Sequence, residues 1–336
     1  MRACALCLVF CSLMFGGRVS VTATESNGFD PGNLQHFIRT MARTHGFNDV
    51  MLKQLFRQAK LEPAILTAIA KPAESKPWYQ YRSIFLTQER VDAGVVFWRT
   101  NAWQLHEAYT DYGVSPEIIV AIIGVETFYG RNRGKYRVID ALATLAFNYP
   151  ERAAFFRGEL EHFLLLTRDQ RVDPLLLMGS YAGAMGLPQF MPSSYRSYAV
   201  DFDSDGVTDI WQNSGDAIGS VGNYLRRHGW QREAPIVVPA SVRGQMYLHL
   251  LSASVKPTTE VAQAEQFGVT PQTSLARHTK VTLIELQSES AMEYWLACNN
   301  FYVLTRYNQS PLYAMAVYQL AEAIRNGYSQ YKAAVQ

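Results

Sequence analysis

The chain has 336 residues, of which 48% are hydrophobic and 18% are charged, and its 31 Lys and Arg nearly balance its 29 Asp and Glu. This composition excludes a disordered or coiled-coil protein and allows one large domain or two moderate ones with an extensive core. The near-neutral charge provides no basic patch, so we expect no nucleic-acid partner.

Residues 1–23 have the pattern of a secretory signal peptide. Arg2 precedes an apolar run over residues 3–15, and small residues at 21–23 form a cleavage site. That run is too short to span a membrane comfortably, and no later segment is long and apolar enough. We therefore expect a soluble, monomeric protein exported to the periplasm. Lipidation at Cys11 is disfavoured by bulky Phe10, and cleavage leaves only Cys298, so no internal disulfide can form.

Residues 30–110 are predicted to form helices that Pro and Gly interrupt. FDPGNLQHFIRTMARTHG and NDVMLKQLFRQA are amphipathic units, and KPAESKPWYQYRSIF is an aromatic connection. LTQERVDAGVVFWRTNAWQLHEAYTDYG has apolar residues at helical spacing throughout. The pattern predicts one long helix there.

The next segment, SPEIIVAIIGVETFYG, places a carboxylate in a very apolar helix. Ser115 suits the N-cap and Pro116 the first helical position. Glu126 then shares a face with the isoleucines three, four and seven residues before it. Burial of a carboxyl group among apolar side chains raises its pKa towards neutrality, as a general acid requires. A structural glutamate that bridges buried polar groups is the alternative for this segment alone.

Residues 139–166 are predicted to be helical with an interruption at Asn148-Tyr149-Pro150. GSYAGAMGLPQFMPSSY, residues 179–195, then combines small residues with the hydrogen-bonding side chains of Ser180, Gln189 and Tyr195. Glycine permits close backbone approach to a ligand, and those side chains suit sugar hydroxyl and N-acetyl groups. A helix–helix contact lined by small residues is the alternative.

DFDSDGVTDIWQNSGD, residues 201–216, resembles the first half of an EF-hand calcium loop. Positions 1, 3, 5, 6 and 7 of that loop are Asp201, Asp203, Asp205, Gly206 and Val207. Position 12 is Gln212 instead of a bidentate Glu, and Asp216 could close a longer loop. We expect a structural Ca²⁺ here.

After residue 228 the composition favours strands. APIVVPASV, TKVTLIELQ and EYWLACNNFYVLTRYN are rich in β-branched or aromatic residues, and PLYAMAVYQLAEAIRNGYSQYKAA returns to helix. The predicted fold is α+β and mainly α. Residues 24–228 and 306–336 form the helical part, with a core near 115–228, and residues 229–305 form a small β-rich domain.

The chemistry expected of Glu126 depends on whether a second carboxylate lies near it. Glycoside hydrolases normally use two, and Asp111 or Asp140 would qualify only if the fold brings one close. A single carboxyl group permits another route. It protonates the glycosidic oxygen and then deprotonates a sugar hydroxyl that attacks the anomeric carbon, so no water is consumed.

At this point several ordered motifs resemble the lytic murein transglycosylase B family. They are GVETFYG, DALATLAFNYPERAAFF, GELEHFLLL, GSYAGAMGLPQFMPSSYRSYAVDFDSDG, DAIGSVGNYLRRHGW and RYNQSPLYAMAVYQL. The resemblance covers nearly all of the mature chain. It implies a lysozyme-like helical core with a surrounding α domain and a small β domain. It also implies cleavage of the MurNAc–GlcNAc β-1,4 bond of peptidoglycan glycan strands, which leaves 1,6-anhydro-MurNAc ends without a cofactor for the chemistry.

The resemblance also implies roles for individual residues. Glu126 matches the catalytic acid/base. The residues that match the substrate cleft are Ser180, Gln189, Phe190, Tyr81, Tyr224, Tyr307, Asn308, Tyr313 and Arg152. Glu151 stands where the family has a second arginine beside Arg152, so that pair is incomplete. The calcium ligands match at Asp201, Asp203, Asp205, Val207 and Asp216. A muramidase, which adds water, and a non-catalytic peptidoglycan-binding protein are the alternatives, and envelope proteins are possible partners.

Overall fold

The computed structural model describes residues 27–70, 76–252 and 254–335. The predicted signal peptide lies outside these ranges. Within the described residues, no helix is both long enough and apolar enough to cross a membrane.

Helices make up most of the described chain. In chain order they are α1 (Pro31–His45), α2 (Asp49–Gln58), α3 (Pro63–Ile69), α4 (Trp78–Phe85), α5 (Gln88–Thr100), α6 (Ala102–Tyr112), α7 (Pro116–Thr127), α8 (Val138–Asn148), α9 (Ala153–Asp169), α10 (Pro192–Tyr198), α11 (Ser214–Arg227), α12 (Val261–Gln266), α13 (Asn299–Tyr307) and α14 (Pro311–Val335). Short 3₁₀ turns occupy Pro150–Arg152 and Met246–Leu250.

The strands form one small sheet and one antiparallel ribbon. They are β1 (Tyr136–Arg137), β2 (Met178–Gly179), β3 (Val237–Val242), β4 (Thr259–Glu260), β5 (Val269–Pro271), β6 (Lys280–Gln287) and β7 (Met292–Ala297). The five-stranded sheet is antiparallel, in the order β4-β6-β7-β3-β5. β1 pairs with β2, and this ribbon brings the chain after α7 beside the segment that begins at Gly179.

Strand β6 is buried on both faces, which explains its nearly continuous apolar sequence. Val281 and Leu283 belong to a small hydrophobic cluster on one side, whereas Ile284 and Leu286 pack into the main helical core. The sheet is therefore attached to the helices by apolar packing. The predicted domain division at residues 229 and 305 stays a prediction.

Helix α7 lies in the centre of the helical part. It packs against α5, α6, α11 and α14, and each of its residues from Ile118 to Gly124 is buried. A helix that is apolar on all sides is stable only in such a position. Each fully buried isoleucine contributes about 1.5–3 kcal/mol relative to an exposed one. The apolar sequence therefore fixes the depth of α7, and with it the position of Glu126 in its last turn.

Two predictions about the N-terminal helices are wrong. The aromatic connection contains helix α4, and the predicted long helix is divided into α5 and α6 at Asn101. The Asn101 side chain is buried, where its amide nitrogen donates to the Phe97 carbonyl at 2.8 Å and its amide oxygen accepts from Ser214 Oγ at 2.5 Å. An asparagine amide that competes for backbone groups and for a tertiary partner favours a helix end.

The predicted strand at the end of the β-rich region is also partly wrong. EYWLA lies in β7, but the residues after Cys298 form helix α13. Asn300 explains the change of direction, since its buried amide accepts from the Gln231 backbone N–H at 2.9 Å and donates to the Gln231 carbonyl at 2.7 Å. Aromatic residues suit both strands and buried helices, so their enrichment did not separate the two.

Candidate active site

Glu126 is the penultimate residue of α7, and the chain turns sharply after it. Phe128 and Tyr129 both have left-handed backbone angles, with φ of 51° and 57°. Such angles are uncommon for bulky residues. Tyr129 is held there because its hydroxyl donates to the Arg90 carbonyl at 2.9 Å, and its ring packs over Gly124, where a Cβ would lie 2.6 Å from the hydroxyl. The turn therefore ends α7 immediately beyond the carboxylate.

Thr127 connects this helix end to the small-residue segment. Its buried hydroxyl lies 3.1 Å from the Leu187 carbonyl and accepts from the Gly130 backbone N–H at 3.0 Å. Its own carbonyl accepts from the Asn132 backbone N–H at 2.8 Å. The position of residues 186–189 relative to Glu126 is thus set by a buried hydrogen bond.

A tyrosine at the start of α14, Tyr313, is a hydrogen-bond donor to the Glu126 carboxyl group. The Tyr313 hydroxyl donates to Glu126 Oε1 at 2.7 Å. Burial raises the pKa of Glu126 to about 7, and the bond from Tyr313 opposes this rise because it favours the charged form. The group is therefore protonated in a large fraction of molecules near neutral pH and can also act as a base.

The predicted tyrosines come together beside Glu126. Tyr307 stacks on Tyr313 with ring centroids 6.4 Å apart, and Tyr224 contacts Tyr307 at 4.8 Å. Phe190 contacts both Tyr224 and Tyr307, at 5.6 and 5.9 Å. Tyr81 is buried on α4, which packs against α14. Helices that are remote in sequence thus form one aromatic cluster.

The hydroxyl groups of Tyr307 and Tyr224 are each held by a backbone acceptor. Tyr307 donates to the Pro188 carbonyl at 2.7 Å, and Tyr224 donates to the Arg306 carbonyl. Burial, together with the nearby Glu126, raises the pKa values of Tyr307 and Tyr313 well above the ordinary value. Both are therefore neutral hydrogen-bond donors at any physiological pH.

Residues 180–191 of this segment form a compact loop between β2 and α10 and not a helix–helix contact. Ser180 Oγ accepts from the backbone N–H groups of Ala182 and Ala184, at 3.2 and 3.0 Å. Gln189 has φ of 49°, and its amide nitrogen donates to the Gly186 carbonyl at 2.8 Å. Ser180 and Gln189 are half-buried, and their substrate roles stay predictions.

Gly134 explains why this loop needs small residues. It has φ of +94°, and a Cβ there would lie 1.9 Å from the Gly179 carbonyl oxygen and 2.5 Å from the Ser180 nitrogen. Only glycine permits this conformation and this close approach. The loop after α7 therefore packs backbone to backbone against the predicted cleft residue Ser180.

Two other predicted cleft residues make their contacts elsewhere. Arg152 stacks over the rings of Phe155 and Phe156 at the start of α9, at 4.6 and 5.3 Å. Asn308 is exposed just after α13, and its carbonyl accepts from the Ser310 backbone N–H. Their substrate roles stay predictions.

The two aspartates considered as a second acid, Asp140 and Asp111, make their contacts with residues other than Glu126. Asp140 is buried in an ion pair with Arg137 at 2.6 Å and accepts from the Lys60 backbone N–H at 2.8 Å. Asp111 accepts an Arg226 hydrogen bond through its backbone carbonyl. The polar side chains that the structure places beside Glu126 are instead those of Tyr313 and Tyr307.

Sequence reasoning did not single out four residues that build the site: Thr127, Tyr129, Tyr198 and His228. The first two lie inside the motif around Glu126, so their position was a usable signal. Tyr198 and His228 contact Tyr224, at 4.9 and 4.1 Å between ring centroids, and nothing local in the sequence indicates this.

The acidic loop presents its first three aspartates together. Carboxylate oxygens of Asp201, Asp203 and Asp205 lie within 4.8 Å of one another. Gly206, with φ of 90°, provides the sharp turn, and its N–H donates to Asp201 at 2.8 Å. Three hard oxygen donors on alternate residues fit the requirements of Ca²⁺. Val207 follows at the position whose carbonyl would be the next ligand.

Asp216 has a different environment. It is fully buried at the start of α11, and its two oxygens accept from the backbone N–H groups of Phe202 and Asp209, both at 2.7 Å. Burial raises its pKa, and these two bonds oppose the rise. Asp216 therefore ties the two ends of the loop together. Its role as a calcium ligand stays a prediction.

The fold and the site together define a class of enzyme. A mainly helical fold holds one carboxyl group with a near-neutral pKa beside neutral tyrosine donors and a glycine-rich loop. This is the arrangement of an acid/base catalyst in which one glutamate both donates and accepts the proton.

Residues 30–322 match the family model described as Transglycosylase SLT domain, and the chain belongs to this family. It is 46% identical over 302 residues to membrane-bound lytic murein transglycosylase B of Escherichia coli (strain K12), which covers 87% of this chain and 82% of the relative. The family and fold-class predictions are therefore confirmed.

Two solved structures are similar over nearly the same length. Soluble lytic transglycosylase SltB1 from Pseudomonas aeruginosa has a TM-score of 0.85 and 49% identity, and covers 89% of this chain and 100% of its own. The Escherichia coli lytic transglycosylase Slt35 in complex with calcium has a TM-score of 0.82 and 45% identity, and covers 88% and 94%.

Proposed function

We propose that this protein is a lytic transglycosylase that cleaves the MurNAc–GlcNAc β-1,4 bond of peptidoglycan and leaves 1,6-anhydro-MurNAc ends. The observation that carries the proposal is the Glu126 carboxyl group, whose pKa is about 7 and whose defined partner is the neutral donor Tyr313. Family membership supports the same conclusion.

In the first step, Glu126 acts as the general acid. Its proton passes to the glycosidic oxygen while the bond between that oxygen and C1 of MurNAc breaks, and the GlcNAc hydroxyl leaves. Glu126 is now a carboxylate. The Tyr313 hydroxyl, 2.7 Å from Oε1, stabilises this charged form and leaves Oε2 available for proton transfer.

In the second step, the same carboxylate acts as the general base. It takes the proton from the C6 hydroxyl of the MurNAc, whose oxygen attacks C1 and closes the 1,6-anhydro ring. Glu126 is protonated again and water is not consumed, so the cycle needs no second carboxylate and no cofactor. Tyr307 provides an apolar ring face that holds the sugars, and buried Phe190 supports that ring from behind. Ser180 and Gln189 provide the polar groups.

The test is mass spectrometry of muropeptides released from purified sacculi by the wild type and by Glu126→Gln. We expect anhydro-muropeptides from the wild type and at least a thousandfold less product from the variant, because the amide cannot donate or accept the proton. Products heavier by one water would instead identify a muramidase. Binding without products from the wild type would identify a non-catalytic peptidoglycan-binding protein.

We also propose a structural calcium ion in the acidic loop. The ion would be held by the carboxylates of Asp201, Asp203 and Asp205 and by the Val207 carbonyl. Its positive charge would offset the repulsion among the three carboxylates. The calcium complex of the related Escherichia coli enzyme supports this proposal. The ion would stabilise the loop and would not take part in the chemistry.

Peptidoglycan lies outside the cytoplasmic membrane, so this function requires export. The signal-peptide pattern of residues 1–23 supports a periplasmic location. Fractionation of cells should recover the protein with periplasmic markers, and recovery in the cytoplasm would contradict the location.

A further inference from the structure

Arg133, in the loop that follows α7, connects two parts of the molecule that have different proposed functions. Its Nε donates to the Gly130 carbonyl at 2.8 Å, and its Nη1 donates to the Trp211 carbonyl and to Gln212 Oε1, the latter at 3.1 Å. The side chain is half-buried. A planar, permanently charged guanidinium with several bonds holds its acceptors in one fixed arrangement.

On one side, Arg133 reaches the active site. Gly130, whose carbonyl it binds, donates its own N–H to Thr127 at the end of the helix that carries Glu126. The Arg133 carbonyl accepts a long bond, 3.4 Å, from the amide nitrogen of Gln189. Displacement of Arg133 would therefore affect both Gln189 and the turn beyond Glu126.

On the other side, Arg133 reaches the far end of the acidic loop. Gln212 stands at loop position 12, where an EF-hand has a bidentate glutamate, and its side-chain oxygen accepts from Arg133. The turn it belongs to is rigid, because Asp209 accepts from the N–H groups of Trp211 and Gln212 at 2.8 and 2.9 Å.

A second bond runs parallel to this connection. The Leu187 backbone N–H donates to the Ile210 carbonyl at 2.9 Å, and a Cβ on Gly186 would lie 2.5 Å from that same oxygen. The acidic loop and the glycine-rich loop are thus in direct backbone contact next to Arg133. Order in one loop can be transmitted to the other through contiguous contacts.

We infer that Arg133 is a positioning residue that couples the acidic loop to the active site, so that calcium in the loop orders Gln189 and the turn after Glu126. Gln212 is the acceptor for this coupling and is not a metal ligand. The inference rests on the proposed function and on the proposed calcium ion. It assigns Arg133 no contact with substrate.

Hydrogen exchange and kinetics with calcium or a chelator test this coupling in the wild type, Arg133→Ala and Gln212→Ala. In the wild type, calcium should slow exchange in residues 201–212 and also in residues 183–190. In Arg133→Ala, calcium should still slow exchange in the acidic loop, but its effect on 183–190 should be several times smaller, because only the backbone contact between Leu187 and Ile210 remains. In Gln212→Ala, which removes one acceptor, the response of 183–190 should be intermediate.

Activity provides the second measurement. Calcium should raise the wild-type kcat about tenfold, and kcat of Arg133→Ala should stay near the calcium-free value at every calcium concentration. Lys135→Ala is the matched control, because that exposed cation lies in the same loop and packs over the Tyr136 ring at 5.6 Å. It should keep the wild-type calcium response.

Two results would overturn the coupling. In the first, calcium slows exchange in residues 183–190 of Arg133→Ala as much as in the wild type. In the second, calcium no longer slows exchange in the acidic loop of that variant, and Arg133 then has only a structural role. Absence of any calcium effect on wild-type residues 201–212 would overturn both the calcium site and the coupling. Absence of anhydro products from the wild type would overturn the proposed function alone, since the exchange measurement does not depend on turnover.

Discussion

Glu126 has a raised pKa because burial at the end of an apolar helix removes water from its charged form, and the bond from Tyr313 offsets this effect only in part. The same burial that destabilises the carboxylate makes the group a useful acid near neutral pH. Function and stability are therefore opposed at this residue.

Glu126→Gln should accordingly become more stable relative to the wild type as pH rises. Below the pKa of the unfolded state, near 4.5, the carboxyl group is neutral in both the folded and the unfolded state, and the wild type loses no stability. Between pH 4.5 and about 7 the group ionises only in the unfolded state, so the free energy of unfolding of the wild type falls. Above pH 7 the cost is roughly 3 kcal/mol. Melting temperatures of both proteins from pH 4 to 8 measure this difference.

The control for loss of one negative charge is Glu89→Gln at an exposed position. A melting-temperature difference between Glu126→Gln and the wild type that did not change with pH would show that burial does not raise the Glu126 pKa.

Tyr313→Phe should move the pH dependence of kcat/KM. The Tyr313 hydroxyl favours the carboxylate, so its removal raises the pKa of Glu126 further, and the loss of activity at high pH should shift upward by about one unit. We also expect kcat to fall about tenfold, because Oε1 loses its donor.

Tyr307→Phe is the matched control for this measurement. Its hydroxyl donates to the Pro188 carbonyl and not to Glu126, so the pH at which activity falls should stay at the wild-type value. A shift of equal size in both variants would contradict a specific role for the Tyr313 bond.

At the scale of elements, the site depends on how the loop after α7 packs against the loop after β2. Gly134 approaches the Gly179 carbonyl too closely for any Cβ, and a Cβ on Gly179 would meet the Ala184 carbonyl oxygen at 2.3 Å. The glycine-rich composition noted in the sequence is thus explained by backbone contact and by hydrogen bonding within the loop.

Gly134→Ala should lower the free energy of unfolding by about 2–5 kcal/mol, since the added Cβ meets backbone atoms and the positive φ is strained. It should also reduce activity, because Ser180 must move. Gly158→Ala in α9 has no atom within 4 Å of the new Cβ and should be neutral or up to about 1 kcal/mol more stable. Chemical denaturation of both variants measures the difference, and equal stabilities would contradict the packing argument.

Elements with a strong periodic or apolar pattern were predicted well from the sequence. Helix α7 begins at Pro116 as expected, and α8 and α9 are separated at Pro150. The errors occurred at Asn101 and after Cys298, where tertiary hydrogen bonds to buried asparagines decide the end of an element. Local propensity does not contain that information.

At the scale of the whole molecule, calcium should stabilise the fold by mass action, because only the folded loop gathers the carboxylates. Calcium at a hundredfold its dissociation constant should add about 2.7 kcal/mol, and chelation should lower the melting temperature accordingly. Asp203→Asn should abolish most of this response, whereas Asp169→Asn, outside the loop, should retain it. An identical melting curve for the wild type with calcium and with chelator would contradict the site.

The sequence by itself determined the helical class, the position of Glu126 in an apolar helix and the Asp-x-Asp-x-Asp-Gly loop, because periodicity, apolar runs and turn residues are local properties. Only the tertiary structure decided that Tyr313 contacts Glu126, that Tyr224 and Tyr307 join one cluster, and that Arg133 connects two loops. These contacts join residues many positions apart in the chain. Their formation depends on how α7, α11, α13 and α14 pack together, which local pattern does not specify.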